Sequence, residues 1–192
     1  MKLYLIRHGE TDWDLVSTRG VKGMAASLAP LTPLGRLQIE TIATDFRLEE
    51  AEAILCSSYA RALESAALLS RKLNKPLFVE YDLHEWLPQK DPLADIDATL
   101  LQEASKGLQR EIDKHTPLEH VPWESLAEVR SRVVEVLKRY RQFSTLVVVS
   151  HAVVISSLLG VQRGVDHAEI VTLELNLNAV PQLDKATLVS DR

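Results

Sequence analysis

The chain has 192 residues, 46% hydrophobic and 26% charged, the balance of one soluble globular domain with material for a sizeable core. Its 22 basic and 27 acidic residues give a net charge of −5, which argues against a broad footprint for nucleic acid or an anionic membrane. The single cysteine, Cys56, excludes an internal disulfide and sits in the apolar run Ala53-Ile54-Leu55-Cys56, as a buried, inert thiol would. The opening apolar run meets Arg7-His8 too soon for a signal-peptide core, and no segment reaches the roughly 18 apolar residues of a spanning helix. A cytoplasmic protein is expected.

Residues from Lys2 to Ile6 form the first expected strand, and Arg7-His8-Gly9 stand where it stops. A loop through Trp13, Asp14, Arg19, Gly20, Lys22 and Gly23 leads to Thr32-Pro33, an N-cap followed by proline at the first helical position. That helix is expected to run to about Leu48 and to bury Leu34, Leu37, Ile42 and Phe46. Ala53 to Cys56 is a second short strand. Ser57-Ser58 closes it and caps a helix from Tyr59 to about Leu73, whose apolar face carries Ala62, Leu63, Ala66, Ala67, Leu69 and Leu73. Asn74-Lys75-Pro76 stops this helix before a third strand from Leu77 to Val79.

Pro88, Pro92 and Pro117 break up the next stretch. Residues 88–122 are expected to be a helical insertion, with a charged helix from about Asp95 to Lys114, lying at the sheet's edge over the carboxyl ends of the strands. From Glu124 to Phe143 the helical period returns, with Leu126, Val129, Val133, Val136, Leu137 and Tyr140 on one face. Leu146 to Val149 is the clearest buried strand, ended by Ser150-His151, and an apolar helix from Val153 to Gly160 follows. Val171 to Leu177 alternates as a half-exposed strand, with Lys185 to Val189 as its hairpin partner. No internal repeat or linker interrupts this order. Strands alternating with longer helices predict a single α/β domain over residues 1–192, three layers α/β/α around a mostly parallel sheet.

In open α/β sheets ligands bind beyond the carboxyl ends of the parallel strands. The first strand ends in Arg7-His8, the second leads through Ser57-Ser58 to Arg61, and the late strand ends in Ser150-His151. If these strands are parallel neighbours, two histidines and two arginines face one small volume. Imidazole can be a nucleophile, and two guanidiniums match a tetrahedral oxyanion such as phosphate.

Four stretches carry a resemblance in order: Leu5-Ile6-Arg7-His8-Gly9-Glu10-Thr11 with Trp13, Pro30-Leu31-Thr32-Pro33-Leu34-Gly35, Ser57-Ser58-Tyr59-Ala60-Arg61-Ala62, and Val148-Val149-Ser150-His151. Together they resemble the histidine phosphatase superfamily, the phosphoglycerate mutase-like proteins, over nearly the whole chain except about Pro88 to Pro122. The resemblance implies a phosphohistidine mechanism. By it, His8 is the nucleophile, Arg7, Arg61 and His151 bind the equatorial oxygens, and a carboxylic acid protonates the leaving oxygen. Glu85, in Asp82-Leu83-His84-Glu85-Trp86, matches the family's catalytic glutamate, with Asp82 its neighbouring competitor. Thr11 and Ser57 are further candidates to touch the phosphate, and helix capping explains Ser57 equally well. Phosphoryl transfer spreads charge over three oxygens, so fixed cations do most of the work and neither metal nor cofactor is required.

Three departures from the family pattern bear on specificity. Asp14 stands where the family usually has Asn, and a carboxylate there repels phosphate. Either Asp14 points away, or the pocket prefers a less charged ester, or the activity is altered. Arg19 lies one position off the family's loop arginine and is a candidate for reaching the phosphate. Ala152 replaces a frequent Gly after the second histidine. The expected function is a phosphatase acting on a small phosphorylated substrate, the short chain disfavouring a mutase that closes over its substrate. Beside it stand that mutase and a catalytically silent module that binds a phosphorylated ligand. A metal site on the six histidines lacks ligand spacing. The leaving group is expected to contact the Trp86 to Trp123 stretch, where His115, His120 and Trp123 are candidates. An unpaired edge strand offers a route to a homodimer.

Overall fold

Alternate residues of the central strands are apolar on both sides, so this sheet must be covered on both faces. A computed structural model describes residues 1–91, 98–114, 121–160 and 164–177. The strands are β1 (Lys2–Arg7), β2 (Ala53–Ser57), β3 (Leu77–Glu80), β4 (Thr145–Ser150) and β5 (Ile170–Glu174). They lie in the order β3-β2-β4-β1-β5, with β1, β2, β3 and β4 parallel and β5 antiparallel to β1. The helices are α1 (Trp13–Thr18), α2 (Pro33–Ile42), α3 (Ala60–Leu73), α4 (Ala98–Lys114), α5 (Leu126–Arg139) and α6 (Ala152–Leu159).

Leu3, Leu5, Leu55, Leu146 and Val148 face α5 and α6, packing on Val129, Val133, Val136, Leu137, Ile155 and Leu158. Tyr4, Ile6, Ile54, Cys56, Val147 and Val149 face α2 and α3, packing on Ile39, Ala62, Ala66 and Leu69. Three layers result, as the pattern predicts. Cys56 is buried with its thiol pushed up to about 12 by desolvation, which leaves it unreactive.

Several local expectations need correction. The loop after His8 contains α1, started by Asp12, whose carboxylate accepts from the Leu15 N–H. Thr32 does cap α2, accepting from the Gly35 N–H at 2.9 Å, but the helix stops at Ile42 and a separate 3-10 turn covers Phe46–Glu50. Its buried face is Gly35, Ile39 and Ala43, while Leu34, Leu37 and Phe46 are exposed. Gly35 decides the face, because a Cβ there would stand 2.2 Å from the Glu10 carbonyl oxygen. Helix α3 begins at Ala60 with no side-chain cap; Ser57 instead accepts from the Tyr59 N–H. Leu63 and Ala67 of α3 are exposed. In β5 Val171, Thr172 and Leu173 are all buried, so the strand does not alternate. Its expected hairpin partner, Lys185 to Val189, lies outside the described residues, as does the start of the expected insertion helix near Asp95.

Helix α5 carries a reciprocal cap that the pattern alone did not mark. Ser125 accepts from the Glu128 N–H, and Glu128 accepts from the Ser125 N–H. Since α5 leads into β4 and runs against it, its N-terminus lies at the carboxyl end of the sheet. Helix α4 packs there, with Glu111 accepting from the Leu126 N–H at 2.7 Å and Gly107 tight against the Trp123 ring. Trp123 is buried and serves packing. His115 and His120 lie outside the described residues.

Candidate active site

His8 follows the last residue of β1, its N–H donating to the Ser150 carbonyl at 3.1 Å, so the ends of β1 and β4 are stitched together at the site. Gly9 is required next. A Cβ on it would stand 2.4 Å from the Gly35 carbonyl oxygen, so the loop and the first turn of α2 touch backbone to backbone. Ser65 on α3 fixes the same loop, accepting from the Gly9 N–H at 3.2 Å and donating to the Arg61 carbonyl at 2.7 Å.

The His8 imidazole has one defined tautomer. Its Nδ1 lies 2.8 Å from the Gly9 carbonyl oxygen, which can only accept, so Nδ1 carries the proton. Its Nε2 keeps the lone pair and accepts from Arg61 Nε–H at 3.1 Å. Burial pulls the His8 pKa down to about 3, with Arg61, Arg7 and His167 adding to the effect. The ring is therefore neutral near pH 7.

Around this ring the structure gathers the predicted residues. His151 is fully buried at the end of β4, its ring 5.1 Å from His8 and its Nε2 2.8 Å from Ser57 Oγ. Desolvation first, then Arg61 and His8, hold His151 well below its ordinary pKa. Arg61, in the first turn of α3, is buried between the rings of Tyr59 and Trp13, 5.1 and 5.2 Å from their centroids. Arg7 donates to the Val165 carbonyl at 2.7 Å. Burial lowers both guanidinium pKa values while Glu85 opposes it, and a guanidinium stays charged throughout. Among the described residues Arg7 Nε and His151 Nδ1 are buried without a hydrogen-bond partner. Thr11 is buried, with Oγ1 3.4 Å from His8 Nδ1, too far to compete with Gly9.

Glu85 reaches the site on a clamped segment. Its carboxylate accepts from the Trp86 N–H at 2.9 Å and from the Val153 N–H in the first turn of α6. Burial among protein atoms nevertheless raises its pKa, with Arg61 and Arg7 opposing. Behind it Arg132 pairs with Glu124 at 2.6 Å and donates to the Asp82 carbonyl, while Glu124 accepts from the Leu87 N–H. Asp82 lies 3.8 Å from Arg139, whose nearer partner is Glu80 at 2.6 Å.

Asp14 and Arg19 are not brought in. Asp14 is exposed in the first turn of α1, where a carboxylate suits the helix dipole, and Arg19 is exposed at its C-cap. Among the described residues neither makes a hydrogen bond or ion pair with the four residues around His8. Ala152 is the first residue of α6. The residue absent from the sequence reading is His167, whose ring lies 5.6 Å from His8. His84 was also passed over; it is buried and stacks on Tyr59.

A family model described as histidine phosphatase superfamily (branch 1) matches residues 3–185. The chain belongs to the histidine phosphatase superfamily. Within it, the chain is 28% identical over 174 residues to "Probable phosphoglycerate mutase GpmB" of Photorhabdus laumondii, covering 88% of this chain and 78% of that protein. The alpha-ribazole phosphatase from Shigella flexneri has a similar structure, with TM-score 0.64 and 25% identity over 98% of this chain and 94% of that one. A mycobacterial glucosyl-3-phosphoglycerate phosphatase shares the fold at TM-score 0.66 and 20% identity, covering 90% of this chain and 92% of that one. Phosphoryl-transfer chemistry is the common ground of superfamily and neighbours. No described helix is long and apolar enough to cross a membrane.

Proposed function

We propose that this histidine phosphatase superfamily member hydrolyses a small phosphomonoester through a phosphohistidine on His8, without a metal. One observation carries the reading: Nδ1–H is tied to the Gly9 carbonyl while Nε2 keeps its lone pair beside Arg61. An imidazole locked in this way is a nucleophile at neutral pH. In the first step the Nε2 lone pair attacks phosphorus, the bond to the leaving oxygen breaks, and protonated Glu85 gives that oxygen its proton. The phosphorylated ring keeps its Nδ1 proton and positive charge, which makes it a good leaving group in turn. In the second step water attacks phosphorus, Glu85 takes a proton from it, and the P–N bond breaks.

Arg7 and Arg61 neutralise the charge spread over the equatorial oxygens in both steps, and the neutral His151 ring donates a hydrogen bond to it. The Arg61 Nε–H that His8 Nε2 accepts in the free pocket passes to a phosphoryl oxygen when substrate binds, which frees the lone pair for attack. The raised pKa of Glu85 suits an acid that must hold its proton near neutrality. Small-ester hydrolysis is also what the name of the alpha-ribazole phosphatase at 25% identity describes. The names of the sequence relatives favour a mutase instead, in which His8 returns its phosphoryl group to a bound acceptor.

An assay with p-nitrophenyl phosphate in excess chelator tests the reading. Wild type is expected to turn over, His8→Ala to fall to background, and Glu85→Gln to lose about 10²–10⁴-fold in kcat. Wild type that becomes phosphorylated but releases no phosphate points to the mutase. Wild type inert towards a panel of aryl and alkyl phosphates contradicts the phosphatase and leaves the binding module.

A further inference from the structure

His8 has an imidazole on each side. His151 comes from the end of β4, and β4 and β5 flank β1 on opposite sides. Because β5 is antiparallel to β1, its start lies beside the carboxyl end of β1. Ile170 pairs with Ile6, so continuing the register brings Ala168 level with His8 and His167 one residue beyond it. The rings of His8 and His167 are 5.6 Å apart and tilted by 44°.

The turn that carries His167 is fixed. Arg7 donates to the Val165 carbonyl at 2.7 Å, and the Ala168 N–H donates to the Arg7 carbonyl at 3.0 Å. The Asp166 N–H is held by the Glu169 carboxylate at 2.8 Å. Val165 and Ala168 are buried while His167 between them keeps part of its surface open. Ala168 has φ +58°, a left-handed conformation that is unfavourable for a non-glycine residue. Such strain persists where the surroundings over-determine the backbone, and it concentrates at functional sites.

We infer that His167 is a further substrate-binding residue of this pocket, donating an imidazole N–H to a phosphoryl oxygen on the side of His8 opposite His151. The inference rests on the phosphoryl-transfer reading above. Facing His167 are His8 and Arg7 at the end of β1, Glu10 from the following loop, and Asp166 of its own turn. Burial and then Arg7 hold its pKa below the ordinary value, with Glu10 and Asp166 opposing. The free ring is therefore neutral near pH 7 and donates from one nitrogen. A bound tetrahedral dianion draws a second proton to it and raises its pKa.

Sulfate, a dianion throughout the neutral range, is the probe. Calorimetry should show His167→Ala binding sulfate about tenfold more weakly than wild type, the scale of one hydrogen bond to a charged group. The KM for p-nitrophenyl phosphate should rise by a similar factor with kcat changed less. In the NMR spectrum of wild type the His167 ring pKa should rise when sulfate is added, and His167→Asn, which keeps a donor but cannot titrate, should flatten the pH dependence of binding. Unchanged sulfate affinity in His167→Ala, or a ring pKa unmoved by sulfate, overturns the inference while turnover by wild type leaves the parent reading standing. Wild type that neither binds sulfate nor turns over the ester removes both.

Discussion

The carboxyl of Glu85 is pushed up by burial even though two backbone N–H groups and two arginine cations favour its charged form. A folded-state pKa above the unfolded one contributes stability below the unfolded value, and that contribution is lost as pH rises through the folded value. Glu85→Gln keeps an acceptor for the Trp86 and Val153 N–H groups and removes the charge. Its Tm should exceed that of wild type at about pH 8, and the gap should close towards about pH 4, where wild type is protonated too. A Tm below wild type at the higher pH contradicts the burial argument. In catalysis the same shift appears as loss of kcat/KM as pH rises through the Glu85 pKa, while His8, at about 3, stays neutral throughout. His8, Arg7, Arg61 and His151 were legible in the sequence because each follows or ends an apolar strand. Asp14 and Arg19 stood out only as departures from the family pattern, because a motif records neighbours in sequence and not that both would be exposed on a short helix.

At the scale of the element, α2 shows where periodicity misleads. Leu34 and Leu37 sit at helical spacing, yet they are 50% and 58% exposed. The face is chosen by Gly35, which lets the helix backbone touch the loop that carries His8. Gly35→Ala should cost about 1–3 kcal/mol or more by urea denaturation, because the added methyl meets backbone that no side-chain rotation can clear. Leu37→Ala should stay within about 0.5 kcal/mol, as exposed positions do. Equal effects at the two positions contradict the assigned face. Thr32 and Pro33 marked the start of α2 unambiguously, because capping is local chemistry. Its end at Ile42 was illegible, because the following turn is held by Asp45 accepting from the Arg47 N–H, and not by the end of an apolar stripe.

The whole molecule explains why one edge of the sheet collects the chemistry. Three parallel neighbours in the order β2-β4-β1 bring Ser57, His151 and His8 side by side, and the helices after β2 and β4 start at the same edge. That much follows from alternating strands and helices. The position of His167 does not, because a strand's direction is set by the path of the chain and β5 enters where its neighbours leave. The measurement that bears most directly on the central claim is a rapid quench of wild type and His8→Ala with an aryl phosphate. Intact-mass analysis and peptide mapping then follow, with acid lability as the signature of a P–N bond. A transient, acid-labile phosphate on His8 in wild type, absent from His8→Ala, is the predicted result. Turnover by wild type with phosphate on another residue, or turnover that survives His8→Ala, contradicts it.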